Sequence, residues 1–101
     1  MDKNKDAYGQ EVWAYYQGKK SFEIIEREDG FIEPSAGAPT YFSGYKDWPY
    51  IEKQALKYVQ GKVLDIGTGA GRVALYLEKR GHKFVSIDNS PLAIKVCKKR
   101  G

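Results

Sequence analysis

Four residues at alternate positions, Asp65, Gly67, Gly69 and Gly71, stand where an apolar run, Val63-Leu64-Asp65-Ile66, gives way to a new segment. A second carboxylate, Asp88, closes the next apolar run, Phe84-Val85-Ser86-Ile87, 17 residues beyond Gly71. Glycine permits a positive φ and has no Cβ to hold a ligand off the backbone. A glycine turn at the carboxyl end of a parallel strand is where ligands of open α/β sheets bind. A carboxylate ending the neighbouring strand can accept two hydrogen bonds from a ribose diol. The spacing is G-x-G-x-G and not the G-x-G-x-x-G of a dinucleotide fingerprint. Asp65, two residues before the first glycine, repels a pyrophosphate and favours a cation. The pattern therefore describes a nucleoside with vicinal hydroxyls and a positively charged, amine-bearing tail.

Asp65-Ile66-Gly67-Thr68-Gly69-Ala70-Gly71-Arg72 resembles the first motif of the class I S-adenosylmethionine-dependent methyltransferases, and Ile87-Asp88-Asn89-Ser90-Pro91 resembles the second. The resemblance covers about residues 62–100. It implies S-adenosyl-L-methionine as cofactor. Gly67 and Gly69 would lie against its methionine part, with Asp65 holding the amino group directly or through water. Asp88 would bind the ribose hydroxyls, Asn89 would flank the adenine, and Thr68 and Ala70 would shape the loop. Methyl transfer would be in-line attack by an N, O, S or C nucleophile, in which positioning supplies much of the catalysis. No catalytic residue is named by these motifs. Other readings stay open. Asp65 and Asp88 are equally at home as caps of a loop and of a helix. An NAD(P)-dependent oxidoreductase unit is the enzymatic alternative, which the glycine spacing and Asp65 oppose. A folded interaction module without a small ligand is the non-enzymatic one.

The elements that would position these residues read as α/β, a partial Rossmann-like βαβα unit preceded by a helical and hairpin segment. Tyr8, Val12, Tyr15 and Tyr16 share one face of a helix over residues 6–17, ended by Gly18. That aromatic face is either a packing surface or a lid over a small-molecule site. Phe22–Glu26 and Phe31–Glu33 read as a hairpin around Asp29-Gly30. Pro34–Thr40 reads as a breaker-rich connection. Asp47 is expected to cap a helix from about 48 to 60, with Ile51, Ala55, Tyr58 and Val59 inward and Gly61 at its end. Val63–Ile66 suits a strand buried on both faces. Arg72–Arg80 reads as a crossover helix with Val73, Ala74 and Leu77 inward and Gly81 as its cap. Ser90-Pro91 opens the next helix as N-cap and N1. The division is expected at residues 1–46, aromatic helix and hairpin, and 47–101, the first half of the cofactor-binding domain.

A chain of 101 residues suits one domain, and 42% hydrophobic with 30% charged residues is ordinary for a soluble protein. The net charge of +4 is mild and scattered, which argues against nucleic acid. Lys95, Lys98, Lys99 and Arg100 suit the negative end of a helix dipole. Cys97, the single cysteine, reads as a buried inert thiol, and His82 as a surface residue. No metal site is expected. No apolar run approaches the roughly 20 residues of a membrane span, and the start lacks a signal-peptide core, so a cytoplasmic location is the expectation. The resemblance implies further strands beyond Gly101. A fragment inactive on its own is expected, with an open sheet edge that pairs with a second copy or with the N-terminal hairpin.

Overall fold

The computed structural model describes residues 2–35 and 37–101. Helix α1, Ala7–Tyr16, begins at Asp6, whose carboxylate accepts from the Gly9 N–H at 2.8 Å. Its buried side centres on Gly9 and Val12, with Tyr8 and Trp13 half-buried beside them. Tyr15 and Tyr16 are exposed, so the expected aromatic face is buried over only half its width. The hairpin forms as β1, Glu23–Glu26, antiparallel to β2, Ile32–Ser35. Its turn is closed by Arg27 N–H to the Phe31 carbonyl at 2.8 Å.

The expected connection at residues 34–40 is more ordered than its prolines suggest. Pro34 sits within β2, an edge strand, where a missing N–H breaks no ladder to a third strand. Ala36 of that stretch lies outside the described residues. Pro39 lies in the first turn of α2, Ala38–Tyr41, where its N–H would have no partner anyway. Asp47 does not cap the next helix. It belongs to a 3-10 turn, Tyr45–Asp47, and α3 runs only from Tyr50 to Leu56. The inward side of α3 also differs from its apolar spacing. Ile51 is 76% and Tyr58 83% exposed, while Glu52 turns inward to Arg72. Glu52 is ion-paired with Arg72 at 2.8 Å, a contact that hydropathy alone cannot see.

From residue 63 the elements fall as expected. Strand β3, Val63–Ile66, is followed by α4, Arg72–Lys79, then β4, Phe84–Ile87, parallel to β3, then α5, Pro91–Arg100. Ala74 and Leu77 of α4 are buried and Val73 is half-buried. Gly81 closes α4 at φ +77°, donating to the Glu78 carbonyl at 3.0 Å, while His82 N–H reaches Leu77. Ser90 caps α5 by accepting from the Ala93 N–H at 3.1 Å. The expectation of a strand buried on both faces is not met. Val63, Asp65, Phe84 and Ser86 are half-buried, while Leu64, Ile66, Val85 and Ile87 are exposed on the opposite face. Nor does the hairpin pair with this sheet: β1 and β2 pair with each other, and β3 with β4.

Helix α1 packs along α5, and the seam is polar at one end and aromatic at the other. At the polar end, Asp6 is 2% exposed and reaches Ser90 and Leu92 of the α5 start. At the other end, the Lys95 ammonium stands 4.0 Å from the Trp13 ring centre. Arg100 does more than complement a helix dipole. Its guanidinium donates to the Ala70 carbonyl at 2.7 Å and lies 4.7 Å over the Phe42 ring. Between α3 and α4, Tyr45 stacks on Tyr76 while Trp48 meets both rings at steep angles, and Arg72 covers Trp48 while holding Glu52 at 2.8 Å.

Gly71 starts α4 at φ +89°, and a Cβ there would stand 2.7 Å from the half-buried Cys97 Sγ. Both the backbone conformation and the contact with α5 require glycine. Gly71→Ala is expected to cost about 2 kcal/mol or more, combining left-handed strain with a clash that shifts α5. Urea denaturation with an unchanged midpoint would contradict it.

Candidate functional site: a glycine groove at the ends of two parallel strands

At the carboxyl end of β3 the backbone turns sharply because Gly67 and Gly69 take φ of +74° and +56°. The turn is pinned to β4: the N–H groups of Gly67 and Thr68 both donate to the Ile87 carbonyl, at 2.8 and 3.0 Å. Asp88 completes the connection. One of its oxygens accepts from Gly69 N–H at 2.8 Å and the other from Ser90 N–H at 2.9 Å. Each carboxylate oxygen has a second lone pair free for a ligand. Asp88 therefore shapes the glycine loop, caps the approach to α5 and faces the groove at the same time.

That groove encloses about 520 Å³ and is lined by Ile66, Gly67, Ile87, Asp88 and Asn89. A Cβ on Gly67 would meet nothing within 4 Å, so the space over it is open to a ligand. The expected site residues divide. Gly67, Asp88 and Asn89 line the groove together, and Gly69 joins them through its hydrogen bond to Asp88. Asp65 lies on the helix side of the sheet, where its carboxylate accepts from Ser86 Oγ, its cross-strand partner, at 3.1 Å. Thr68 points inward. Its hydroxyl is buried with no hydrogen-bond partner among the described residues, beside a partly open pocket of about 220 Å³ that Phe84, Ser86 and Cys97 also line. Gly71 packs on Cys97 and stands at the helix start.

The glycine spacing does not disclose what the N-terminal segment brings to this loop. The Tyr8 hydroxyl lies against Gly69: a Cβ there would stand 2.5 Å from the phenol oxygen. Burial, then the neighbouring Tyr41 and Asp88, push the Tyr8 phenol up to about 12. The Tyr41 ring meets Tyr8 edge-on at 5.0 Å, and its own hydroxyl donates to both Glu23 oxygens at 3.1 Å. Burial and a hydrogen bond with Glu23 raise the Glu11 carboxyl to about 7. Hydrogen bonding with Ser35, then with Glu11 and Tyr41, holds Glu23 low. Glu11 also accepts from the Ala38 N–H at 3.0 Å. The only trace of this cluster in the sequence is the period of Tyr8, Glu11 and Val12 along one helix; its partners come from 12 (Glu11 to Glu23) to 33 (Tyr8 to Tyr41) residues further on.

A second cavity, about 590 Å³, lies on the far side of α4 among Phe42, Tyr45, Trp48, Tyr76, Arg72 and Arg100. Its Tyr45, Trp48 and Tyr76 rings pack against one another and its guanidiniums are engaged with Glu52 and Ala70. Among the described residues no group of His, Cys, Asp and Glu is arranged to hold a metal, and no helix is long and apolar enough to cross a membrane.

Two parallel strands, a glycine loop and a carboxylate at the second strand's end make a Rossmann-like half-unit. Residues 63–101 match a family described as a methyltransferase domain. The whole chain superposes on a solved S-adenosylmethionine-dependent methyltransferase from Bacteroides fragilis, in complex with S-adenosyl-L-homocysteine. The TM-score is 0.91 and the identity 29%, over 100% of this chain and 42% of that one. A 40-residue stretch is 50% identical to the 2-heptyl-1-hydroxyquinolin-4(1H)-one methyltransferase of Mycobacteroides abscessus, covering 40% of this chain and 18% of that protein. The chain therefore spans less than half the length of these relatives. Over the part it spans, it has the fold of a class I S-adenosylmethionine-dependent methyltransferase.

Proposed function

We propose that this chain supplies the glycine-loop side of an S-adenosyl-L-methionine site and serves a methyltransferase. The observation that carries the reading is the coincidence, in one groove, of an open glycine at Gly67 with the Asp88 carboxylate. The residues fit the cofactor in kind. Asp88 can accept from vicinal hydroxyls with its remaining lone pairs, Asn89 stands beside it for the base, and Gly67 lets the ligand rest on the backbone. Asp65 would act on the amino group through water or through the loop, since its carboxylate is turned to Ser86. Thr68 and Gly71 hold the loop's shape. The bound sulfonium would supply an activated methyl group, so this chain's part is to hold and orient.

Isothermal calorimetry with S-adenosylhomocysteine and with NAD tests the reading. Saturable binding of the homocysteine nucleoside and none of NAD is expected. Binding of NAD alone would return the oxidoreductase alternative, and binding of neither would favour an interaction module.

The sheet suggests its own partner. Leu64, Ile66, Val85 and Ile87 form an exposed aliphatic face, and β3 and β4 each carry an open edge. Unpaired edges of this kind recruit further strands. Pairing with a second copy is the expected outcome for the isolated chain, as a concentration-dependent dimer in sedimentation. A monomer at every concentration would contradict it. A cytoplasmic location goes with this reading, as the compartment where soluble cofactor-dependent methyl transfer takes place.

A further inference from the structure

We propose that Tyr8 is a cofactor-binding residue, its hydroxyl closing the glycine loop from the N-terminal side and hydrogen-bonding the zwitterionic amino-acid tail of the ligand. This rests on the S-adenosylmethionine reading above and adds a residue from outside both sequence motifs.

Three observations point the same way. The atom of Tyr8 nearest the loop is its hydroxyl. From a Cβ placed on Gly69, the oxygen would be at 2.5 Å, the ring carbon bearing it at 3.6 Å and the next at 4.0 Å. The phenol is therefore aimed at the loop and does not merely lie along it. Second, that hydroxyl has no hydrogen-bond partner among the described residues, whereas the adjoining Tyr41 hydroxyl is committed to Glu23. A half-buried phenol with a free O–H against the glycine loop has a donor and an acceptor to offer.

Third, Tyr8 is held in place from two sides. Its ring packs edge-on against Tyr41 at 74°, and its helix is tied to the start of α5 through Asp6 and Ser90. Little side-chain freedom is left to lose on binding, so a hydrogen bond from this group contributes most of its strength to affinity. The surroundings suit a tail that carries both charges. The Asp88 carboxylate, bonded to the Gly69 N–H, favours an ammonium, while the Tyr8 O–H is a donor for the carboxylate. The Gly69 N–H is already taken by Asp88.

The test compares two ligands on the full chain. S-adenosylhomocysteine carries the amino-acid tail, and 5′-methylthioadenosine is the same nucleoside thioether without it. Tyr8→Phe keeps the ring on Tyr41 and removes only the hydroxyl. It is expected to weaken S-adenosylhomocysteine about tenfold and leave methylthioadenosine unchanged. The ratio of the two affinities within one protein does not depend on how much of it is folded, so a loss of stability cannot imitate the result. Unchanged affinity for S-adenosylhomocysteine overturns the proposal. An equal loss for both ligands overturns it too, because Tyr8 would then only pack the loop. Wild-type protein that binds neither ligand sinks the cofactor reading itself, and this inference with it.

Discussion

Asp6→Ala is expected to destabilise the chain by about 3 kcal/mol and lower its melting temperature by roughly 12–24 °C. Asp6 caps two helices at once. Its carboxylate accepts from Gly9 N–H in α1, at 2.8 Å, and from Leu92 N–H in α5, at 3.1 Å, and it also takes the Ser90 hydroxyl at 2.8 Å. One side chain therefore fastens the start of the chain to a helix 84 residues later. A single exposed cap is worth about 1 kcal/mol, but here the loss leaves buried donors without water or partner. Gly9 makes the approach possible, since a Cβ there would run into the Asp6 carboxylate and Ser90 Oγ.

The same contacts predict an acid limb. Burial pushes the Asp6 carboxyl up, but the hydrogen bonds from Ser90, Leu92 and Gly9 outweigh it, and its pKa lies below the ordinary 3.8. A carboxylate depressed in the fold contributes stability above its unfolded pKa and loses it as pH falls through the folded one. The contribution is therefore full at neutral pH and disappears only below about pH 4. Asp6→Ala should remove that limb together with the stability at pH 7. Thermal melts across the acid range check both. A variant that melts like the parent would show that the α1–α5 seam is held by its apolar contacts alone.

Asp88→Ala is expected to weaken S-adenosylhomocysteine binding by about 1–3 kcal/mol, roughly five- to 150-fold. The substitution removes the acceptor for the ribose diol. It also releases the N–H groups of Gly69 and Ser90, so the loop that carries Gly67 and Gly69 loosens with it. Asp88→Asn separates the two effects. The amide oxygen can still accept from one of these N–H groups, but it presents fewer lone pairs to a diol. The Asn variant should keep most of the stability and lose most of the affinity. Titration calorimetry beside a denaturation curve reads both quantities, and an unchanged affinity would remove Asp88 from the site.

What could be read in advance follows from how local each interaction is. From residue 63 on, helix starts, strand ends and the glycine turn are set by neighbours a few positions away, so Ser90, Gly81 and the Gly67–Gly71 run announced their roles. The N-terminal part is different. Asp6 looks like an ordinary helix start until its partners at Ser90 and Leu92 are seen. The rotation of α3 brings Glu52 to Arg72, whereas its apolar spacing pointed to another face. Asp65 lay in the right motif, but period-2 geometry put its side chain on the helix side with Ser86. Tyr8 was legible as part of an aromatic stripe. That it meets Gly69 is a tertiary fact, set by the Asp6 clasp.

The most direct test of the central claim is where the ligand binds. In a ¹H–¹⁵N correlation spectrum of the chain titrated with S-adenosylhomocysteine, the amides of Gly67, Gly69, Asp88 and Asn89 should shift and saturate together. The amides of Tyr45, Trp48 and Tyr76, across α4, should stay in place. Saturable shifts confined to that aromatic cavity, or no shift at the glycine loop, would contradict the account.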